Sequence, residues 1–241
     1  MKKIYFMAFS CAVFLGLASC NLTDDELKDL QKLNGTFTIT GTYPNYKLIQ
    51  DNGTIVYPTA ENVSAVTESK GFGDHKRAQF YVNYYPENIK TENGTTVIRD
   101  AELKDGVYLA ERKVITEAEA NKAGLLKEDS IYTVTSVDSW LAYGYLNSIF
   151  TAYYSKEGTE IINPTVNLYA KSTGDNAVTF TLLYNRHQTS GTNCEGSFPY
   201  SFDITNFEVP GNDSITVTLE IKGRNPSCIK VGRKDFYNHA N

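Results

Sequence analysis

Methionine, histidine and tryptophan are scarce in this chain: its 241 residues include two Met, three His and one Trp. The histidines, His75, His187 and His239, lie too far apart in sequence to form the closely spaced ligand pairs of a typical metal site. A Gly-x-Ser-x-Gly nucleophile elbow and a phosphate-binding glycine loop are also missing. The sequence therefore predicts no enzyme active site, no metal and no cofactor. A hydrolase whose carboxylates converge only after folding stays open as a third alternative.

Clusters of basic residues are missing too. The chain has 23 Lys and Arg against 28 Asp and Glu, a net charge of −5. A mildly acidic surface repels the phosphate backbone, so we expect no nucleic-acid partner. The longest apolar run, from Ile4 to Leu17, is shorter than the roughly 20 residues needed to span a bilayer.

The short apolar run instead has the features of an export signal. Lys2 and Lys3 precede it, and it ends in Leu17-Ala18-Ser19-Cys20, which resembles the lipobox of bacterial lipoproteins. We predict a signal peptide at residues 1–19, lipid modification of Cys20, and a lipid anchor and tether at residues 20–33. The mature chain would then be held at the outer membrane, facing the periplasm or the cell surface, with a net charge of about −7. An ordinary signal peptide with an accidental cysteine is the alternative.

Two cysteines remain after the signal peptide and the lipid site are accounted for. Cys194 and Cys228 would lie in an oxidising compartment, and we predict that they form a disulfide. Such a loop closure contributes roughly 3–4 kcal/mol in the chain-entropy model. Two free thiols are the alternative, because sequence does not fix the geometry of a pair.

The rest of the chain is rich in residues that favour strands, with turn signals at short intervals. Asp51-Asn52-Gly53 and Asn93-Gly94 each separate two strand-like runs and predict hairpins, because type I′ turns need positive φ at both central positions. The clearest helix signal runs from Thr116 to Ala123 and ends at Gly124. We interpret this helix as part of the connection between two β domains.

Aromatic side chains come in clusters along the second half of the chain. On an exposed sheet such rings could stack on sugars or contact a protein, whereas in a core they would only provide packing. Both interpretations stay open for the candidate binding aromatics, which are Trp140, Tyr143, Tyr145, Tyr153 and Tyr154.

The order of several short motifs resembles the NigD-like lipoproteins of Bacteroidales. The matching motifs are Asp51-Asn52-Gly53-Thr54-Ile55-Val56-Tyr57-Pro58, Lys76-Arg77-Ala78-Gln79-Phe80-Tyr81-Val82, Trp140, Tyr145-Leu146-Asn147, Phe150, Leu182-Leu183-Tyr184-Asn185-Arg186-His187 and Ser201-Phe202-Asp203-Ile204. The resemblance implies an all-β chain. An OB-like β-barrel with an insertion would occupy residues 34–126, and an antiparallel β-sandwich residues 127–241.

The same resemblance implies a function without catalysis. The family takes its name from a bacteriocin gene cluster, so we expect a binding or accessory protein of bacteriocin-immunity type with a protein or peptide partner. The alternative is a surface glycan-binding module of a polysaccharide-uptake system, which the aromatic clusters motivate.

Overall fold

The first part of the chain forms a closed β-barrel. The computed structural model describes residues 29–127, 133–157, 160–162, 164–187 and 192–237. The barrel elements are β1 (Gln31–Thr42), β2 (Asn45–Gln50), β3 (Ile55–Pro58), α1 (Ala60–Val66), β4 (Arg77–Tyr84), a 3₁₀ helix (Pro86–Asn88), β5 (Ile89–Glu92) and β6 (Thr95–Tyr108).

Five of these strands close a ring in the order β3, β2, β1, β4, β6 and back to β3. The closing pair, β3 with β6, is parallel, and α1 lies between β3 and β4 in the chain. This is the OB-like barrel that the resemblance implies. Phe37, Leu48 and Val56 are fully buried inside it, and β5 extends β6 outside the ring.

The second part of the chain forms a β-sandwich. Its elements are β7 (Ala110–Lys113), β8 (Ile115–Thr116), α2 (Glu117–Lys122), β9 (Ser136–Ala142), β10 (Tyr145–Glu157), β11 (Glu160–Ile162), β12 (Thr165–Gly174), β13 (Ala177–Asn185), β14 (Thr192–Asp203), β15 (Ile215–Ile221), β16 (Ser227–Val231) and α3 (Arg233–Tyr237). One sheet has the order β11-β10-β14-β7, with β9 also paired to β10. The other has the order β16-β15-β13-β12-β8.

The sandwich core is rich in aromatic rings from the first of these sheets. Phe150 stacks on Phe198 and on Tyr200, with ring centroids 5.5 and 5.9 Å apart. On β15 in the opposite sheet, alternate residues from Ile215 to Ile221 are buried, as one-sided burial of a strand requires. The predicted fold class, a barrel followed by a sandwich, is confirmed. The sandwich is not wholly antiparallel, however, because the pairs β13–β15, β12–β8 and β14–β7 are parallel.

The segment that leaves the barrel joins both sheets of the sandwich. Strand β7 pairs with β14, and β8 pairs with β12. Both strands precede the boundary predicted after residue 126, which stays a prediction.

Local sequence signals gave several elements correctly. The hairpins at Asn52-Gly53 and Asn93-Gly94 are confirmed as β2–β3 and β5–β6. The helix prediction is confirmed by α2, whose N-cap Thr116 forms a capping box with Glu119. Helices α1 and α3 were missed because each spans no more than two turns. Strand β1 begins at Gln31, inside the segment 20–33 that the sequence assigned to the anchor and tether.

The predicted disulfide between Cys194 and Cys228 is wrong, since both described cysteines are free thiols. Cys194 lies on β14 opposite Tyr154, whereas Cys228 lies on β16 opposite Thr218. These strands belong to different sheets, and a shared compartment alone does not bring two strands together.

Candidate functional site

Arg77 is the largest fully buried side chain of the described residues, and it begins β4. Its Nη1 and Nη2 atoms donate to the two carboxylate oxygens of Asp51 at 2.7 and 2.8 Å. Nη1 also donates to Thr38 Oγ1 at 2.7 Å, across the β1–β4 pair. A buried guanidinium thus meets the carboxylate that follows β2 in a two-point ion pair.

The sandwich supplies the remaining acceptor. Asn147 Oδ1 accepts from Arg77 Nε at 3.3 Å and from Nη2 at 3.1 Å. The same oxygen accepts from Ser201 Oγ at 2.7 Å. A guanidinium has five N–H donors, and all five of Arg77 therefore have acceptors within the protein.

A tryptophan completes the contact between the two domains. Trp140 Nε1 donates to Asp51 Oδ2 at 2.5 Å. Arg77 and Asp51 belong to the barrel, and the other three residues belong to the sandwich. We call this group the interdomain polar cluster: Asp51, Arg77, Trp140, Asn147 and Ser201.

The strand register explains why the sandwich residues meet. Asn147 on β10 lies opposite Trp140 on β9 and opposite Ser201 on β14, and Ser201 lies opposite Glu111 on β7. The four residues form one row across four neighbouring strands. Glu111 accepts hydrogen bonds from the backbone N–H groups of Lys76 and Arg77.

Two tyrosines on the β9–β10 hairpin border the cluster. Tyr143 OH donates to the Gln50 carbonyl oxygen at 3.4 Å, and the Tyr145 ring lies 5.4 Å from the Arg77 guanidinium carbon. Burial, reinforced by Glu111 and Asp203, raises the pKa of Tyr145 to about 12. Burial also raises the pKa of Tyr143, with a further contribution from Asp51. Both phenols are therefore neutral at physiological pH.

The chemistry of this cluster is structural. Its cation is satisfied by protein acceptors, and its carboxylate accepts from both Arg77 and Trp140. Arg77 therefore has no free N–H donor to offer a substrate. The arrangement can fix the orientation of the two domains, because separating them would remove the Asn147 acceptor from the buried Arg77 and the Trp140 donor from Asp51.

The predicted binding aromatics fall into two groups. Trp140, Tyr143 and Tyr145 are brought together at the contact between barrel and sandwich. Tyr153 is 47% exposed on β10, and Tyr154 is half-buried against Phe198. A ligand-binding role for these five residues stays a prediction.

Other candidate residues lie elsewhere. His75 stacks on Tyr108, and His187 Nε2 lies 2.6 Å from Thr165 Oγ1. Cys20 and His239 lie outside the described residues. Within the described part of the chain, no group of three or more His, Cys, Asp or Glu is placed to hold a metal ion.

An open cavity of about 310 Å³ lies at the ends of β13 and β15. Its lining residues are Thr181, Leu182, Glu220, Ile221, Lys222, Arg224 and Pro226. The Glu220 carboxylate there pairs with Lys171 at 2.8 Å. None of these residues belongs to the interdomain polar cluster.

Fold and site together define a class: an OB-like barrel whose Arg77–Asp51 ion pair is hydrogen-bonded to a following β-sandwich. The chain is similar in structure to a protein of unknown function, DUF1344, from Bacteroides vulgatus (TM-score 0.51, 16% identity, covering 87% of this chain and 96% of that one). It is also similar to a proposed toxin-related protein from Parabacteroides distasonis (TM-score 0.53, 17% identity, covering 85% of this chain and 96% of that one). A third similar structure is a proposed lipoprotein from Bacteroides fragilis (TM-score 0.47, 12% identity, covering 88% of this chain and 100% of that one).

The first two structures are only 16% and 17% identical to this chain, so they show that the fold is shared and do not indicate a function. No family model matches the sequence, and no curated protein matches it. Among the described residues, no helix is long and apolar enough to cross a membrane.

Proposed function

We propose that this chain is a lipid-anchored protein of the cell envelope that binds a partner without catalysing a reaction. One observation supports the proposal that the chain does not catalyse a reaction. Asp51, Arg77, Trp140, Asn147 and Ser201, which all lie in motifs of the NigD-like resemblance, bond to one another between the domains. They therefore act in the architecture and leave no reactive group aimed at a substrate.

The anchor is proposed from the lipobox-like Leu17-Ala18-Ser19-Cys20. Acylation at Cys20 would hold the chain at the outer membrane, on either the periplasmic or the outer face. Metabolic labelling with a fatty-acid analogue tests this anchor. Wild-type chain should carry label and fractionate with membranes, and Cys20→Ala should do neither. Label retained in Cys20→Ala would refute the anchor.

The first candidate partner is a protein or peptide, as in bacteriocin immunity. The NigD-like resemblance and the rigid two-domain body support it. Cells lacking the gene should become more sensitive to bacteriocins of related strains, and expression of the wild-type gene should restore resistance. Unchanged sensitivity across the panel would contradict the immunity role.

The second candidate partner is a surface glycan. This possibility is favoured by a specific observation outside the interdomain polar cluster. Exposed aromatic rings meet at one end of the barrel, where Tyr108 is 39% exposed and stacked on exposed His75.

A further inference from the structure

One end of the barrel presents exposed rings over a buried aromatic base. His75 and Tyr108 are stacked nearly parallel, with centroids 3.9 Å apart and planes 7° apart. Beneath them Phe72 contacts Tyr108 at 6.4 Å and Tyr46 at 4.6 Å between centroids. We call the exposed rings of this end the barrel-end surface: Tyr43, His75 and Tyr108.

Tyr43 joins the same surface through Gly71. A Cβ atom added at Gly71 would lie 2.6 Å from Tyr46 Oη and 3.2 Å from Tyr43 Cδ2, so both rings touch this glycine. Gly71 also has φ +67, which any other residue would adopt only with strain. Exposed Tyr43 and the buried Tyr46–Phe72 pair therefore form one continuous aromatic group.

Hydrogen bonds hold this surface in place before any ligand arrives. Tyr43 OH and Ser64 Oγ are 2.9 Å apart, and Phe72 N donates to Tyr46 OH at 3.2 Å. In the same loop Glu68 and Ser69 have φ of 50° and 61°. Such strain persists only where the surroundings enforce it, and it is concentrated at functional sites. A fixed ring surface binds with less loss of conformational entropy.

The charges beside the rings are balanced. The loop from residue 67 to residue 76 contains Glu68, Lys70, Asp74 and Lys76, with no net charge. Lys70 Nζ pairs with Glu68 Oε2 at 2.8 Å, and both side chains are about four-fifths exposed. A neutral ligand rich in hydroxyl groups fits such a border, since these groups both donate and accept hydrogen bonds.

The barrel-end surface also lies far from the N-terminal entry of the chain. Strand β1 begins at Gln31 beside Tyr84 and ends at Thr42, next to Tyr43. Its 12 residues span roughly 35 Å at about 3.3 Å per residue. Tyr43 therefore lies at the opposite end of β1 from the residues that lead to the lipid site proposed at Cys20.

We propose that the barrel-end surface binds a neutral glycan, with a sugar ring packed against the exposed side of the His75–Tyr108 stack. The apolar face of a pyranose would lie on the aromatic platform, and Glu68, Ser69 and Lys70 would reach its hydroxyl groups. The proposal names the ligand class for the second candidate function and rests on that binding role.

Native affinity gels containing neutral glucan, mannan, xylan or galactan test this proposal with the detergent-solubilised mature chain. We expect at least one polysaccharide to slow the wild-type chain. His75→Ala and Tyr43→Ala should weaken that binding at least tenfold, and so should Tyr108→Ala if its melting curve matches wild type. Tyr81→Ala, which removes an exposed tyrosine elsewhere on the barrel, should bind as wild type does.

Several outcomes would overturn the glycan assignment. The first is that none of the four polysaccharides slows the wild-type chain. The second is that His75→Ala and Tyr43→Ala bind as tightly as wild type. The third is that binding is lost only in Tyr81→Ala. A peptide that binds wild type but not His75→Ala, with no polysaccharide bound, would also overturn it. None of these results affects acyl labelling at Cys20, so failure here is distinguishable from failure of the proposed anchor.

Discussion

Arg77 is the residue on which the contact between barrel and sandwich depends most. Arg77→Ala leaves the Asp51 carboxylate without its guanidinium partner and Asn147 Oδ1 without two donors. Breaking a buried ion pair by removing one member costs roughly 3–5 kcal/mol. We expect a loss of unfolding free energy of that size, measured by urea denaturation followed by far-UV circular dichroism.

Arg99 provides a matched control for this substitution. It pairs with Glu92 at 3.0 Å, but both side chains are more than two-fifths exposed. An exposed pair contributes less than about 1 kcal/mol, so Arg99→Ala should change stability little. Equal effects of Arg77→Ala and Arg99→Ala would contradict the importance of burial.

Tyr145 gives the molecule a defined alkaline sensitivity. Its pKa rises from 10.0 to about 12 on folding, mainly because burial disfavours the phenolate. A pKa raised in the folded state contributes stability that is complete below pH 10 and is lost as the pH rises through about 12. That loss amounts to roughly 2–3 kcal/mol at 1.36 kcal/mol per pKa unit.

Urea denaturation between pH 8 and pH 12 measures this effect. Tyr145→Phe should lose less stability over the alkaline range than wild type, since phenylalanine has no proton to release. Tyr153→Phe removes a hydroxyl from a 47% exposed tyrosine and should follow the wild-type curve. If the free energy of unfolding fell equally with pH in wild type, Tyr145→Phe and Tyr153→Phe, this would be evidence against burial of a neutral Tyr145.

The two sandwich cysteines should react as separate thiols. Cys228 is exposed and Cys194 is half-buried, so a thiol reagent should label Cys228 first. Intact mass should be unchanged by reductant, and both cysteines should be labelled after unfolding. A gain of two mass units on reduction, with no labelling beforehand, would restore the disulfide that the sequence suggested.

The members of the interdomain polar cluster could be read from the sequence, but their association could not. All five stand in motifs of the NigD-like resemblance. Arg77 and Asn147, however, are 70 positions apart, and Asp51 and Trp140 are 89 apart. No local pattern pairs side chains over such distances. A single arginine before a strand also looks the same whether it is exposed or buried.

At the scale of strands, local signals were informative wherever a turn determines the pairing. Asn52-Gly53 and Asn93-Gly94 gave hairpins that the structure confirms. Gly53, Asn93 and Gly94 have the positive φ that such turns require locally, whereas Asn52 does not. The row of Trp140, Asn147, Ser201 and Glu111 depends on register among four strands. That register is set by packing of whole sheets, which local alternation does not specify.

Close packing between β4 and β6 makes Gly106 intolerant of any side chain. A Cβ atom there would lie 2.3 Å from the ring of buried Phe80. We therefore expect Gly106→Ala to lower the free energy of unfolding by about 1–3 kcal/mol through overpacking. Thermal or urea denaturation checks this value.

Gly174 at the end of β12 is the control, because nothing lies within 4 Å of a Cβ atom there. Gly174→Ala should change stability by no more than about 0.5 kcal/mol. A stable Gly106→Ala variant would show that β6 and Phe80 are less tightly packed than described.

At the scale of the whole molecule, the interdomain polar cluster should make barrel and sandwich unfold together. Each domain has its own hydrophobic core, so two separate transitions would be the default for weakly joined domains. The hydrogen bonds from Arg77 to Asn147 and from Trp140 to Asp51 cross the interface, and breaking them would leave a buried donor of Arg77 without its acceptor, which opposes separation.

The most direct test of this coupling uses the only tryptophan of the chain, Trp140, which donates to Asp51 across the interface. Urea denaturation of wild type should give superimposable curves by Trp140 fluorescence and by far-UV circular dichroism. In Arg77→Ala the fluorescence change should precede the loss of β structure. Separate curves in wild type, or superimposable curves in Arg77→Ala, would contradict coupling of the two domains by the interdomain polar cluster.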